Sequence, residues 1–123
     1  MEHTIYDLRY HFIWRLDRDQ KDLTEAMKHR LNMLLTQSCD TLRLKVLAGE
    51  ITGRYVHTVV SCPASLAPST IAQRLKGRSS KILQDEFSEL KKHCRDQTLW
   101  ERGYFCKTVG EVTDEMIRGF MER

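Results

Sequence analysis

A length of 123 residues fits one ordinary domain and is too short for two well-buried cores. With 41% hydrophobic and 30% charged residues, the composition is typical of a globular protein, and no apolar run is long enough to span a membrane. The net charge of +3 permits a polyanionic partner without requiring one. Because no secretory signal is seen, we expect an intracellular, cytoplasmic protein without a membrane partner.

The first half of the chain alternates between strand and helix patterns. Tyr6 to Leu16 alternates as a strand does and places His11 and Arg15 on its polar face. Apolar residues then recur at helical spacing from Leu23 until near Ser38. The segments "LRLKVLAGEI" and "RYVHTVVS" predict two further strands.

The second half begins with the helical segment "APSTIAQRLKGRSSKILQDEF", for which Ser69 is the predicted N-cap and Gly77 a weak point. A strand in "TLWERGYFCKTVG" and a short helix starting at Thr113 complete the chain. The order β-α-β-β-α-β-α predicts an α+β fold over one domain, residues 1–123. We expect a ferredoxin-like, RRM-like four-stranded antiparallel sheet with two helices on one face and a C-terminal helix.

The four cysteines are scattered and form no CxxC pair, so they do not match a zinc site. In a reducing compartment they are expected to be buried thiols. They are Cys39, Cys62, Cys94 and Cys106.

Several segments together resemble one known family. "YHFIW", the His-bearing strand after "LAGEIT", "PSTIAQRLKGRSSKIL" and "LWERGYFCKTVG" before a "VT" helix are similar to single-tyrosine transposases of the insertion-sequence 200/605 group, in the HUH nuclease superfamily. The resemblance implies a homodimer that binds hairpins in single-stranded DNA and would associate with the nucleoid when bound. It also implies strand cleavage by a helix-borne tyrosine, assisted by a divalent metal on a His-hydrophobic-His strand.

The residues that carry the family's chemistry depart from its pattern. The metal-binding histidine pair falls on Tyr55 and His57, so a phenol replaces one ligand. The nucleophilic tyrosine falls on Phe120, which has no oxygen to attack phosphorus. The resemblance therefore predicts a vestigial metal site and lost cleavage, with no cofactor, or with magnesium or manganese if the site is active. Tyr55 and Tyr104 are the alternative nucleophiles.

Residues predicted to contact DNA lie on the first strand and on the helix that contains "RLKGRSSK". Clustered cations and hydroxyls suit a phosphate backbone, although a charge run is more often a solvated helix face. The set is His11, Arg15, Arg74, Lys76, Arg78, Ser79, Ser80 and Lys81.

Three functions remain open from the sequence. The first is a hairpin-binding protein of transposase descent that no longer cuts DNA. The second is an active single-strand transposase whose site is atypical or completed by another protein. The third is a ferredoxin-like module that binds nucleic acid without a transposase role.

Overall fold

Four antiparallel strands form one sheet in the computed structural model, which describes residues 8–94 and 98–108. The strand order across the sheet is β2-β3-β1-β4, so β1 and β3 are the central pair. Their bounds are β1 Leu8–Arg15, β2 Lys45–Ile51, β3 Tyr55–Cys62 and β4 Phe105–Thr108. The predicted four-stranded antiparallel sheet is confirmed.

In the described ranges, three helices accompany the sheet: α1 (Glu25–Thr41), α2 (Pro68–Glu86) and the single turn α3 (Ser88–Lys91). The observed order is β-α-β-β-α-α-β, with α3 as an element that the sequence pattern did not predict. The predicted terminal helix from Thr113 lies outside the described residues.

One hydrophobic core joins the long helices to a single face of the sheet. Phe12 and Trp14 of β1 and Val56 and Val60 of β3 share this core with apolar residues of both helices. The helical members include Met27, Leu31 and Leu34 of α1 and Ile71, Leu75 and Leu83 of α2. Because strand side chains alternate, the opposite face, called the outer face below, carries Arg9, His11, Ile13 and Arg15 of β1 and Tyr55, His57, Val59 and Ser61 of β3.

The two long helices begin differently. Thr24 caps α1, and its hydroxyl accepts a hydrogen bond from the Met27 amide at 3.2 Å. The prediction of Ser69 as the cap of α2 is wrong, because the N-cap is Ala67 and Pro68 occupies the first turn. Proline suits that position since its missing N–H would have no helical partner there.

Gly77 lies on the exposed side of α2, which continues through it without a break. In the described part of the chain, a Cβ added at Gly77 would meet nothing within 4 Å beyond its own helix. We therefore expect Gly77→Ala to raise the free energy of unfolding by about 0.5–1 kcal/mol, measured by urea titration.

A matched control for this substitution is Gly103→Ala. Gly103 also has open space around it, but its φ of +82° disfavours any side chain. The control is expected to lower stability, and a Gly77→Ala variant no more stable than the parent would contradict a regular helix at that point.

Among the described residues, no helix combines the length and the apolar character needed to cross a bilayer.

Candidate functional site

Most of the predicted site residues that lie close to His57 in the structure are on the outer face of the sheet. Ile13 of β1 lies opposite His57 in β3 and opposite Phe105 in β4, and its side chain is fully buried. The polar residues around it are His11 and Arg15 from β1, Tyr55 and His57 from β3, Glu50 from β2, and Lys107 from β4.

His11 and His57 meet at the centre of the outer face. His11 pairs with Val59 and His57 with Ile13, so the two histidines are diagonal neighbours on adjacent strands. His11 Nδ1 and His57 Nε2 share a hydrogen bond of 3.0 Å, and the rings meet edge to edge, with their planes 21° apart and their centroids 5.2 Å apart. Sequence reasoning placed His11 among the DNA contacts and missed it as the partner of His57.

The environment of this pair keeps both imidazoles uncharged near neutral pH. Burial, with a smaller effect of His57, lowers the pKa of His11. Burial also lowers the pKa of His57, against an opposing effect of the Glu50 carboxylate. Both pKa values therefore fall below the ordinary histidine value, and neutral imidazole is the form that binds metal ions.

Tyr55 shares the outer face with His57 but has a different partner. Its hydroxyl donates to Glu50 Oε1 at 3.2 Å. Burial, followed by the charge of Glu50 and this hydrogen bond, raises the pKa of Tyr55. The side chain is thus a neutral phenol, which suits neither a metal ligand nor an activated nucleophile.

The donor set of the outer face supplies a histidine pair and no larger cluster. Across residues 8–94 and 98–108, no group of three or more His, Cys, Asp or Glu side chains is placed to hold a metal ion. The four cysteines are free thiols, and burial raises the pKa of Cys39 to about 11. The absence of disulfides among the described cysteines agrees with the expectation of thiols, although Cys94 and Cys106 are only half-buried.

Tyr104, one alternative nucleophile, lies on the helix side of the sheet. Its ring packs against Phe12, with centroids 6.0 Å apart, and it borders the hydrophobic core. His57 lies on the outer face, so the sheet separates the two side chains. Phe120, which was predicted to stand at the position of the nucleophile, lies outside the described residues.

Two of the four cations predicted on α2 have internal partners. Lys76 donates to the carbonyls of Glu101 and Gly103 at 3.0 and 2.8 Å, and burial lowers its pKa. Arg78 donates to the Leu34 carbonyl at 3.2 Å and to the side chains of Ser38 and Gln37 on α1. Both side chains thus join α2 to a neighbouring segment.

The two serines predicted as DNA contacts are buried. Ser79 Oγ donates to the Leu75 carbonyl at 2.6 Å, and Ser80 Oγ accepts from the Leu99 amide at 2.8 Å. Trp100 Nε1 also donates to Ser79 Oγ at 3.1 Å. Both hydroxyls therefore face the protein interior and not the surface that a DNA strand could reach.

Arg74 and Lys81 are exposed, as Arg78 is, but they differ from it in having no internal partner among the described residues. They are seven residues apart on one side of the helix, and neither has an ionic or hydrogen-bond partner in the described ranges. His11 and Arg15 lie across the sheet from them, and Arg15 pairs with Glu101 at 3.1 Å. The structure therefore does not bring the two groups of predicted DNA contacts together.

Comparison of the chain with known proteins gives a consistent result. The family model described as "Transposase IS200 like" matches residues 4–123. The transposase for insertion sequence element IS200 of Salmonella typhimurium is 26% identical over 113 residues, covering 92% of this chain and 74% of that protein. The ISDra2 transposase TnpA of Deinococcus radiodurans is 26% identical over 118 residues, covering 96% and 84% respectively.

Solved structures show the same fold. A crystal structure of a transposase candidate from Deinococcus radiodurans R1 superposes with a TM-score of 0.88 at 25% identity, covering 99% of this chain and 94% of that one. A REP-associated tyrosine transposase bound to a REP hairpin superposes at 0.64 with 11% identity, covering 96% and 66%, which shows likeness of fold. The sheet, the helices and the matched residues lead to one conclusion: the chain belongs to the IS200-like transposase family.

Proposed function

We propose that this protein binds hairpins in single-stranded DNA, as a homodimer of one domain covering residues 1–123, and that it does not cut the bound strand. Membership of the transposase family supports the DNA substrate and argues against an unrelated ferredoxin-like module. The hairpin is supported by the REP-associated transposase of the same fold, which was solved with a REP hairpin.

We infer the loss of cleavage from the absence of an attacking oxygen at residue 120. Residue 120 is phenylalanine at the position where the family's pattern has the nucleophilic tyrosine, and a phenyl ring cannot form a bond to phosphorus. The two tyrosines named as alternative nucleophiles, Tyr55 and Tyr104, are poorly suited to replace it. Tyr104 is on the far side of the sheet, and Tyr55 donates its hydroxyl to Glu50.

Among the described residues, the proposal rests on the environment of the Tyr55 hydroxyl. On the outer face, the Tyr55 hydroxyl donates to the Glu50 carboxylate, and burial, followed by the charge of Glu50, raises the pKa of Tyr55, so it is held as a neutral phenol beside the histidines. An oxygen nucleophile needs a lowered pKa or an adjacent base with a free lone pair. A carboxylate such as that of Glu50 is a much weaker base than a phenolate, so it accepts the hydrogen bond of Tyr55 without taking the proton, and the pKa of Tyr55 is shifted away from activation.

The His11–His57 contact favours a second candidate, an active transposase with an atypical site. Two imidazole nitrogens 3.0 Å apart are an intact histidine pair, although they come from different strands. In this candidate a tyrosine other than residue 120, or one from another protein, attacks the strand. A covalent protein–DNA adduct distinguishes the second candidate from the first.

Binding can be tested without cleavage. Fluorescence anisotropy in EDTA should show that a labelled single strand with a hairpin binds at least about ten-fold more tightly than an unstructured strand of the same length and composition, a difference of about 1.4 kcal/mol. Sedimentation of the free and bound protein tests the dimer. Equal affinity for both strands would contradict hairpin recognition.

A further inference from the structure

We propose that Arg9, Arg43 and Lys45 form a site for the phosphate backbone of the unpaired DNA strand that continues from a bound hairpin. These three residues, called the basic row below, lie at the end of the outer face where β1 begins and β3 ends. None of them was predicted from the sequence as a DNA contact. The inference rests on the proposed hairpin binding and adds a second contact surface to it.

The register of the sheet brings two of these cations into one line. Arg9 of β1 pairs with Ser61 of β3, and Ser61 pairs with Lys45 of β2. Residues directly opposite one another share a face of the sheet, so Arg9 and Lys45 project from the outer face on either side of a short serine side chain. Their strands are two spacings apart, or about 10 Å, which two long side chains can bridge.

Arg43 adds a third cation beside Lys45, in the turn that leads from α1 into β2. It lines one cleft of about 380 Å³ together with Asp40, Leu44, Lys45 and Ser61. Its φ of +60° lies in the left-handed region, where glycine is favoured and any other residue costs energy. A strained backbone position that carries an exposed cation indicates a use for the side chain.

The positive charge of the basic row is available to a polyanion. Arg9, Arg43 and Lys45 are exposed, and none of their side chains has an ion pair or a hydrogen bond within the described ranges. Among the described residues that line the cleft, Asp40 is the only acid, so positive charge exceeds negative charge there. Exposed arginine and lysine groups of this kind commonly bind phosphate oxygens.

The position of the basic row favours an unpaired strand over the hairpin stem. Arg74 and Lys81 of α2 lie on the helix side of the sheet, whereas the basic row lies on the outer face. A rigid stem held against α2 cannot also contact the opposite face of the sheet. A flexible single strand that continues from the stem can reach that face, and its successive phosphates suit a line of cations.

The basic row and His57 share the outer face. Ser61 is four residues beyond His57 along β3, or about 13 Å at about 3.3 Å per residue. That distance corresponds to about four nucleotides at a stacked spacing of about 3.4 Å. A flank of about ten unpaired nucleotides is therefore long enough to occupy the basic row.

The test compares a bare hairpin with the same hairpin that carries about ten unpaired thymidines on each side, by fluorescence anisotropy in EDTA. The parent protein should bind the flanked hairpin at least about ten-fold more tightly than the bare one. The variant Arg9→Ala, Lys45→Ala should weaken binding of the flanked hairpin by roughly 10–30-fold at 0.1 M salt, about five-fold for each phosphate contact, and leave the bare hairpin unchanged.

The charge-matched control is Lys21→Ala, Lys92→Ala, which also removes two exposed cations. Lys21 lies in the loop that follows β1, and Gln20 of that loop bonds to the Leu90 carbonyl of α3 at 2.8 Å, next to Lys92. Both lysines are therefore near the end of β1 that is remote from Arg9. This variant should bind both DNAs as the parent does.

Arg43→Gly tests the third cation without loss of the fold. Glycine adopts a φ of +60° without steric cost, so the variant should unfold at the same urea concentration as the parent or a higher one. It should bind the flanked hairpin about five-fold more weakly than the parent does. Unchanged binding of the flanked hairpin by Arg43→Gly would overturn the site as proposed.

The other outcomes separate this inference from the proposed function. A parent protein that binds both hairpins equally, or an Arg9→Ala, Lys45→Ala variant that keeps the advantage of the flank, would overturn the basic row while hairpin binding stood. An equal loss on both DNAs, or an equal loss in the lysine control, would overturn it too. A parent protein that binds neither DNA would contradict the proposed function, and this inference with it.

Discussion

The double variant Tyr55→His, Phe120→Tyr is expected to nick hairpin-bearing single-stranded DNA in the presence of a divalent metal and to remain covalently attached to it. Phe120→Tyr supplies the phenolic oxygen, and Tyr55→His returns the second histidine to β3 beside His57. Removing a nucleophile from a hydrolytic enzyme can cost a factor of about 10⁶ in rate, so we expect a gain of at least about 10³ over the parent.

The single variants separate the effect of the added nucleophile on nicking from the effect of the added histidine. Tyr55→His alone should leave the strand uncut because it adds a ligand and no nucleophile. Phe120→Tyr alone should nick more slowly than the double variant, because it adds the nucleophile without the second histidine on β3. Denaturing gels of end-labelled DNA measure all four proteins. A double variant that binds the hairpin and never nicks it would show that cleavage was lost for another reason.

Replacing Arg74 and Lys81 with alanine is expected to weaken hairpin binding by roughly 10–30-fold at 0.1 M salt. Each phosphate contact to a single strand contributes a slope of about −0.7 to the dependence of log affinity on log salt concentration, or about five-fold in affinity at 0.1 M. Losing both exposed cations should therefore reduce the slope by about 1.4. Anisotropy titrations between 0.05 and about 0.3 M salt give both values.

The charge-matched control is Lys76→Ala, Arg78→Ala, which removes the same two positive charges from the same helix. Lys76 bonds to the Glu101 and Gly103 carbonyls and Arg78 to α1, so this variant should lose thermal stability and keep its salt slope. If the control instead lost binding and the Arg74, Lys81 variant kept it, phosphate contact would have to be assigned to Lys76 and Arg78.

The strands and long helices were predictable because their patterns are local. Period-two alternation gave β3 as Arg54 to Ser61, and the strand is Tyr55–Cys62. The inward position of Ser79 was also readable, since Ile71, Leu75, Ser79 and Leu83 follow one another at intervals of four residues. The charges around it favoured a surface role in the sequence reading.

The His11–His57 pair could not be predicted from local sequence patterns. The two residues are 46 positions apart, and each alone resembles an ordinary strand histidine. Only the antiparallel pairing of β1 with β3, and the register that puts Ile13 opposite His57, makes them neighbours. The partners of Lys76 depend likewise on the loop at residues 101–103, whose path follows from the bridge between Leu16 and Trp100.

One reaction tests most directly whether the protein holds its DNA without cutting it. A 5′-labelled hairpin strand is saturated with protein, as judged by anisotropy, then incubated with Mg²⁺ or Mn²⁺ and analysed by denaturing gel and intact-mass spectrometry. Full-length DNA and unmodified protein are expected at every time point. A shortened strand together with a protein carrying DNA on Tyr55 or Tyr104 would contradict it.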